Sequence, residues 1–210
     1  MSPNRIKTYC RLNEFVKPQC LQTMKRLTKI YAYLRIQKYR FLSKSGNVHK
    51  RLSLLQPLLF QGNGKVNIEG NVQLGVEDAP GFWSGYTYFE ANGAEGVIDL
   101  KHGVVINNNA ALIADNASIT ILEDSILGMH VSIMTSDGHR LEADRRHEAD
   151  RTCLPVHIGK QVFIGDQVVV LKGVHIGDRA VIGAGSVVTK DIPDNVVAAG
   201  NPCRIIRSLS

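Results

Sequence analysis

The chain has 210 residues, 44% of them hydrophobic and 21% charged, with a net charge of +6, a length that suits one domain plus an appendage. No run of 18 apolar residues and no short apolar stretch near the start occurs, so neither a membrane span nor a secretory signal is expected. Cys10, Cys20, Cys153 and Cys203 lie far apart without CxxC spacing. They read as unpaired thiols of a reducing compartment, not as a disulfide framework or a zinc site.

The charge is unevenly spread. Residues 1–60 hold thirteen Lys and Arg against the single acid Glu14, a net +12, and residues 61–210 carry −6. Leu21, Met24, Leu27, Tyr31 and Leu34 recur at helical spacing with Lys25, Arg26, Lys29 and Arg35 between them, which predicts an amphipathic helix in a basic segment over residues 1–60. Its expected use is packing on the rest of the chain or on a neighbouring subunit. Contact with an anionic membrane surface is the second reading. No nucleic-acid motif accompanies the charge, so nucleic acid is not an expected partner.

From residue 61 onward the pattern changes to pairs of apolar residues two apart. Val66 and Ile68, Val72 and Leu74, Ile98 and Leu100, Val104 and Ile106, Ile119 and Ile121, Ser125 and Leu127, and Val131 and Ile133 fit it, with a phase slip between Ala110 and Ile119. The stretch Glu77–Gly96 interrupts it and holds Phe82, the lone Trp83, Tyr86, Tyr88 and Phe89. It is expected to be a loop or edge whose aromatics pack on something. A second interruption, residues 135–155, is polar and carries His139 and His147. Long loops on a rigid scaffold are where function concentrates. His139 stands in Ser136-Asp137-Gly138-His139, directly after a predicted strand, which would hold its imidazole still.

Beyond this excursion the period is six. Ile158, Ile164, Val170, Ile176, Ile182 and Val188 recur every sixth residue, with Val156, Val162, Val168, Val174, Ala180 and Ser186 two before each and Gly159, Gly165, Gly177 and Gly183 after four of them. A fixed short period of this kind predicts a parallel β-helix, in which three hexads make one triangular coil and the coils stack. Positions two apart on a strand face the same way, so each hexad offers two inward apolar groups.

These hexads, with V-I-G-A-G-S-V-V-T-K-D-I-P and then A-A-G-N-P-C-R-I-I-R, resemble the hexapeptide-repeat acyltransferases. That family includes galactoside and maltose O-acetyltransferases and the O-acetyltransferases of bacterial surface polysaccharides. The resemblance runs from about Val66 to Arg207. It implies an all-β, left-handed parallel β-helix over residues 61–210, with the loop 135–155 extended and a C-terminal cap over residues 192–210. The left hand comes from the resemblance, since the usual crossover rule is right-handed. It also implies acetyl-CoA as donor, a sugar or glycan acceptor and a homotrimer. The unpaired thiols point to a cytoplasmic location, and the membrane reading of the basic segment would put the protein at the inner membrane face. His139 matches the family's general base. Asn108, within Asn107-Asn108-Asn109, matches the acceptor-site Asn. Ala184, Thr189, Lys190, Arg204 and Arg207 match the CoA side. No metal is expected. Phe163 stands where the family often has Trp, and Leu122 and Leu171 replace the usual Gly, which predicts wider corners there.

The chemistry is consistent with that assignment. A sugar hydroxyl is a poor nucleophile until a base takes its proton, and histidine titrates near neutrality. The reaction implied is O-acetylation in surface-polysaccharide biosynthesis. Alternatives are N-acylation of a nucleotide-linked amino sugar, a metal enzyme of carbonic-anhydrase type using His130, His139 and His147, and a non-catalytic scaffold.

Overall fold

The computed structural model describes residues 18–44, 52–148 and 152–209, with side chains from residue 26; Cys10 and the side chains of Cys20, Leu21 and Met24 lie outside the described residues. The chain divides into two compact units, Met1–Arg35 and Ile36–Ser210. Among the described residues the helix α1 spans Pro18–Leu42. It has six basic residues and no acid, and Leu27, Tyr31 and Leu34 on its apolar stripe are each more than half exposed.

The second unit is a stack of parallel strands in three sheets. The first contains β1 (Ser53–Leu54), β4 (Gln73–Leu74), β7 (Val105–Ile106), β10 (Ile126–Leu127), β13 (Phe163–Ile164), β16 (Val181–Ile182), β18 (Val196–Ala199) and β19 (Arg204–Ser208). The second contains β2 (Leu58–Gly62), β5 (Thr87–Asn92), β8 (Ala111–Asp115), β11 (Ser132–Met134), β14 (Val169–Val170) and β17 (Val187–Val188). The third contains β3 (Lys65–Ile68), β6 (Val97–Leu100), β9 (Ser118–Ile121), β12 (Val156–Ile158) and β15 (His175–Ile176). Each of β1 to β14 pairs in parallel with the strand three places further along the chain, so the chain winds as a triangular coil. β18 then pairs with β16 in parallel and with β19 antiparallel, forming the C-terminal cap. The coil opens at Ser53, ahead of the residue-61 boundary that the hexad pattern suggested.

The hexads dictate this packing. Ile158, Ile164, Val170, Ile176, Ile182 and Val188 are fully buried, and Val156, Val162, Val168, Val174 and Ala180 are 2% exposed or less. Ser125 and Ser186, at the same inward positions, are buried but satisfied: Ser125 Oγ donates to Gly159 O at 2.7 Å and accepts from Val162 N at 3.0 Å, and Ser186 Oγ accepts from Gly200 N at 3.0 Å. Buried hydroxyls are tolerated when bonded in this way.

The repeat glycines work by close approach. A Cβ built on Gly165 would lie 2.6 Å from Ala184 N in the next coil, and one on Gly159 would lie 2.6 Å from Asp178 Oδ1. The left-handed corner conformation falls two residues later instead, on His130, Gln161, Gln167 and Arg179, with φ between 54° and 59°. The corners at Leu122 and Leu171 are not widened, contrary to expectation. Asp124 and Gly173 take the same left-handed position two residues on, and Leu122 N and Leu171 N reach the next coil at 3.0 Å, as Gly159 N does at 2.8 Å.

The first interruption is only half a loop. Residues 77–86 leave the coil, but β5 returns to it with Thr87, Phe89 and Ala91 buried between β2 and β8. Phe82 is buried and meets the exposed Trp83 edge to face at 4.8 Å, while Tyr86 packs on Tyr39 of α1 at 4.7 Å.

Candidate active site

The second sheet positions the histidine candidate. Ile133, Val170 and Val188 are in register across β11, β14 and β17, so Thr135, Lys172 and Lys190, two residues further on in each case, leave the sheet along one edge. Adjacent strands are about 4.8 Å apart, which separates the start of the His139 turn from Thr189 and Lys190 by two such steps along the sheet. Thr189 and Lys190 are exposed.

The turn is anchored at its root. Thr135 is fully buried; its Oγ1 accepts from Asp115 N at 2.7 Å and donates to Asp115 O at 3.0 Å. The Gly138 N–H bonds the nearly buried Ser136 Oγ at 3.2 Å. Asp137 pairs with Lys172 at 2.7 Å. The returning arm closes through Leu154 N to Thr135 O at 2.9 Å, and the loop is cross-tied by Arg140 N to Glu148 O at 3.1 Å and by Arg145 on Glu148 at 2.7 Å.

His139 is exposed, and its Nδ1 lies 3.1 Å from Arg140 O. A carbonyl oxygen only accepts, so this contact is a hydrogen bond when Nδ1 carries the proton. Nε2 is then left with its lone pair free to accept one.

Of the residues matched to the CoA side, Lys190 and Arg204 come together. They line a groove of about 420 Å³ with Asp191, Ile192, Cys203 and Ile205. Ala184, Thr189 and Arg207 lie outside its lining. Arg204 bonds Cys203 O at 2.8 Å, and Arg207 bonds Ser208 O at 3.2 Å. Burial pushes the Cys203 thiol up from its ordinary range; it stays protonated near neutrality and is a poor competing nucleophile.

Asn108 is fully buried. Its Nδ2 donates to the carbonyls of Val76, Ala79 and Pro80 at 2.9, 3.2 and 3.1 Å, and its Oδ1 accepts from Val76 N at 3.1 Å. Its amide is turned into residues 76–80. The neighbouring Asn109 is partly exposed, with Nδ2 3.4 Å from His130 Nε2. Among the described residues, no group of three or more His, Cys, Asp or Glu is placed to hold a metal ion, and no helix is long and apolar enough to cross a membrane.

Reading the sequence missed the Thr135–Asp115 anchor and the place of Lys172. The second had a signal: Lys172 follows Val170 as Lys190 follows Val188, at one position of the repeat.

Known proteins bear on the same region. Residues 155–190 match the family model of the bacterial transferase hexapeptide (six repeats). The galactoside O-acetyltransferase of Escherichia coli is 45% identical over 98 residues, which are 47% of this chain and 48% of that one. The galactoside O-acetyltransferase of Lactococcus lactis is 39% identical over 122 residues, 58% of each chain. The chain thus spans about half the length of the curated relatives it matches. Among solved structures, a maltose O-acetyltransferase from Clostridium difficile superposes with a TM-score of 0.53 at 27% identity, covering 88% of this chain and 89% of that one. A polysialic acid O-acetyltransferase shares the fold, with a TM-score of 0.58 at 22% identity over 73% of this chain and 68% of that one. Over residues 155–190 the hexads match the bacterial hexapeptide transferase model, and the chain carries them on a left-handed β-helix similar in sequence and fold to the hexapeptide-repeat acyltransferases.

Proposed function

We propose that the protein is an O-acetyltransferase that moves an acetyl group from acetyl-CoA to a sugar hydroxyl, with His139 as general base. The observation that carries this reading is the His139 turn. Its imidazole has Nδ1 turned to Arg140 O, and the turn leaves the same sheet edge as Thr189 and Lys190. In the reaction, Nε2 takes the hydroxyl proton as the oxygen attacks the thioester carbonyl. The tetrahedral intermediate collapses with cleavage of the C–S bond, and the imidazolium returns the proton to the departing CoA sulfur. General-base catalysis of this kind typically contributes ~10²–10⁴-fold.

The donor fits the groove. Lys190 and Arg204 supply cations for phosphates, and Ile192 and Ile205 supply apolar wall for the pantetheine arm. Ala184, Thr189 and Arg207 extend that surface. Asn108 acts indirectly, by holding residues 76–80 against the coil. The acceptor class we favour is a surface polysaccharide or its lipid-linked precursor, assembled at the cytoplasmic face of a membrane. The basic helix α1 supports that location, because each Lys or Arg near an anionic leaflet is worth about 1 kcal/mol.

A homotrimer is part of the same proposal. Val105, Ile126, Phe163, Val181 and Val197 stand in one register on the outer face of the first sheet, and Ile126 and Phe163 are 45% and 48% exposed. Such an apolar row on a flat face favours another copy.

The test is His139→Ala assayed against galactosides, maltose and polysialic acid. Turnover should fall at least ~100-fold while acetyl-CoA binding, followed by calorimetry, is retained. Unchanged turnover would remove His139 from the mechanism.

A further inference from the structure

The corner turn Leu171–Gly173 touches both arms of the 135–155 excursion. On the outgoing arm, Lys172 Nζ lies 2.7 Å from Asp137 Oδ2, two residues before His139, with the two side chains only 19% and 30% exposed. On the returning arm, Gly173 N donates to Leu154 O at 3.3 Å, and a Cβ on Gly173 would stand 3.0 Å from Leu154 Cδ1. Gly173 also has φ +76°, so no side chain is readily accommodated there. The turn belongs to the coil after the one from which the excursion leaves, since β14 stacks on β11.

From this geometry we infer that Leu171–Gly173 is a clamp on the catalytic loop and that Lys172 is a positioning residue, fixing the His139 turn to the rigid coil through Asp137. The inference rests on the proposed role of His139. An isolated surface ion pair contributes little to stability, but this one joins residues 35 positions apart and ties a loop to a scaffold. Its consequence is in orientation. A misplacement of about 1 Å costs on the order of 10²-fold in rate. The repeat places Lys172 one coil before Lys190 at the same corner, so the competing role for Lys172 is a phosphate contact, and the two roles separate kinetically.

The experiment compares Lys172→Met, Asp137→Asn, the exchanged pair Lys172→Asp with Asp137→Lys, and Lys172→Arg. It follows hydrogen exchange of peptides over residues 136–141 and steady-state kinetics with maltose and a galactoside as acceptors. Lys172→Met and Asp137→Asn should speed exchange in those peptides without changing residues 176–190. Both should lower kcat about tenfold or more at unchanged acetyl-CoA KM, and the Arg variant and the exchanged pair should restore both readouts. Unchanged exchange in Lys172→Met would overturn the clamp. So would a raised acetyl-CoA KM at unchanged kcat, which would make Lys172 a phosphate contact. His139→Ala is run alongside. If it stays active, the proposed base fails and the clamp's catalytic role with it; if it is inactive while Lys172→Met keeps full kcat, only the clamp fails.

Discussion

Replacing Thr135 by Val keeps the shape of the side chain at the root of the loop and removes its hydroxyl. Thr135 is fully buried, and its Oγ1 serves both backbone groups of Asp115, accepting from N at 2.7 Å and donating to O at 3.0 Å. The valine methyl would occupy the hydroxyl's place and exclude water from it, so the Asp115 N–H would lose its partner without replacement. Leaving a buried donor unsatisfied costs about 1–3 kcal/mol. For a chain of this length, a loss of ~2 kcal/mol corresponds to a fall in Tm of roughly 4–8 °C. Thr135→Ser keeps the hydroxyl and loses one methyl, a cost of about 0.8 kcal/mol or somewhat more if a cavity remains. Thermal and urea unfolding of both variants should therefore rank wild type above Ser and Ser above Val. A Val variant as stable as wild type, or no less stable than the Ser variant, would show that the hydroxyl does not anchor the loop.

Three further outcomes are expected. Gly165→Ala would push a methyl to 2.6 Å from Ala184 N and 2.9 Å from Ala184 Cα, both backbone; the coils would have to part, and denaturant unfolding should show a loss of about 3 kcal/mol or more, at the upper end of overpacking costs. Phe163→Glu puts a charge in the centre of the apolar row, and size-exclusion chromatography with light scattering should report a single-chain mass for the variant against three chains for the wild type, as the proposed trimer requires. Tyr88 should titrate late for a phenol. Burial and the 2.5 Å hydrogen bond to Glu90 hold its phenol up, at about 12, so the stability it contributes is complete below pH 10 and lost as pH rises through 12. Ultraviolet titration of the folded protein should show a late phenol phase, and Glu90→Gln should move that phase down while leaving the contribution of burial.

The repeat determined the architecture by itself. A pair of inward positions in every hexad, kept in register from Val156 to Val188, leaves few ways to bury them other than a stacked coil, and those residues are the core. The helical spacing of Leu27, Tyr31 and Leu34 likewise foretold α1, because local periodicity is written along the chain. Contacts between coils are not written there. Phe89 looked like part of an aromatic loop, yet β5 stacks between β2 and β8 and buries it. Leu122 and Leu171 promised wide corners, but Asp124 and Gly173 carry the left-handed turn for them.

At the candidate site, the sequence singled out His139 from its short turn and its place after a strand. It did not reveal that Nδ1 is turned to Arg140 O, that Thr135 grips Asp115, that Asn108 is spent on residues 76–80, or that Lys172 meets Asp137. The last three of these join residues 20 to 35 positions apart, brought together only when the coils stack and fix the register between them. The sequence thus decided which residues face inward and which histidine stands in a short turn directly after a strand. The tertiary structure decided which neighbours hold that loop in place, because those partners belong to different coils.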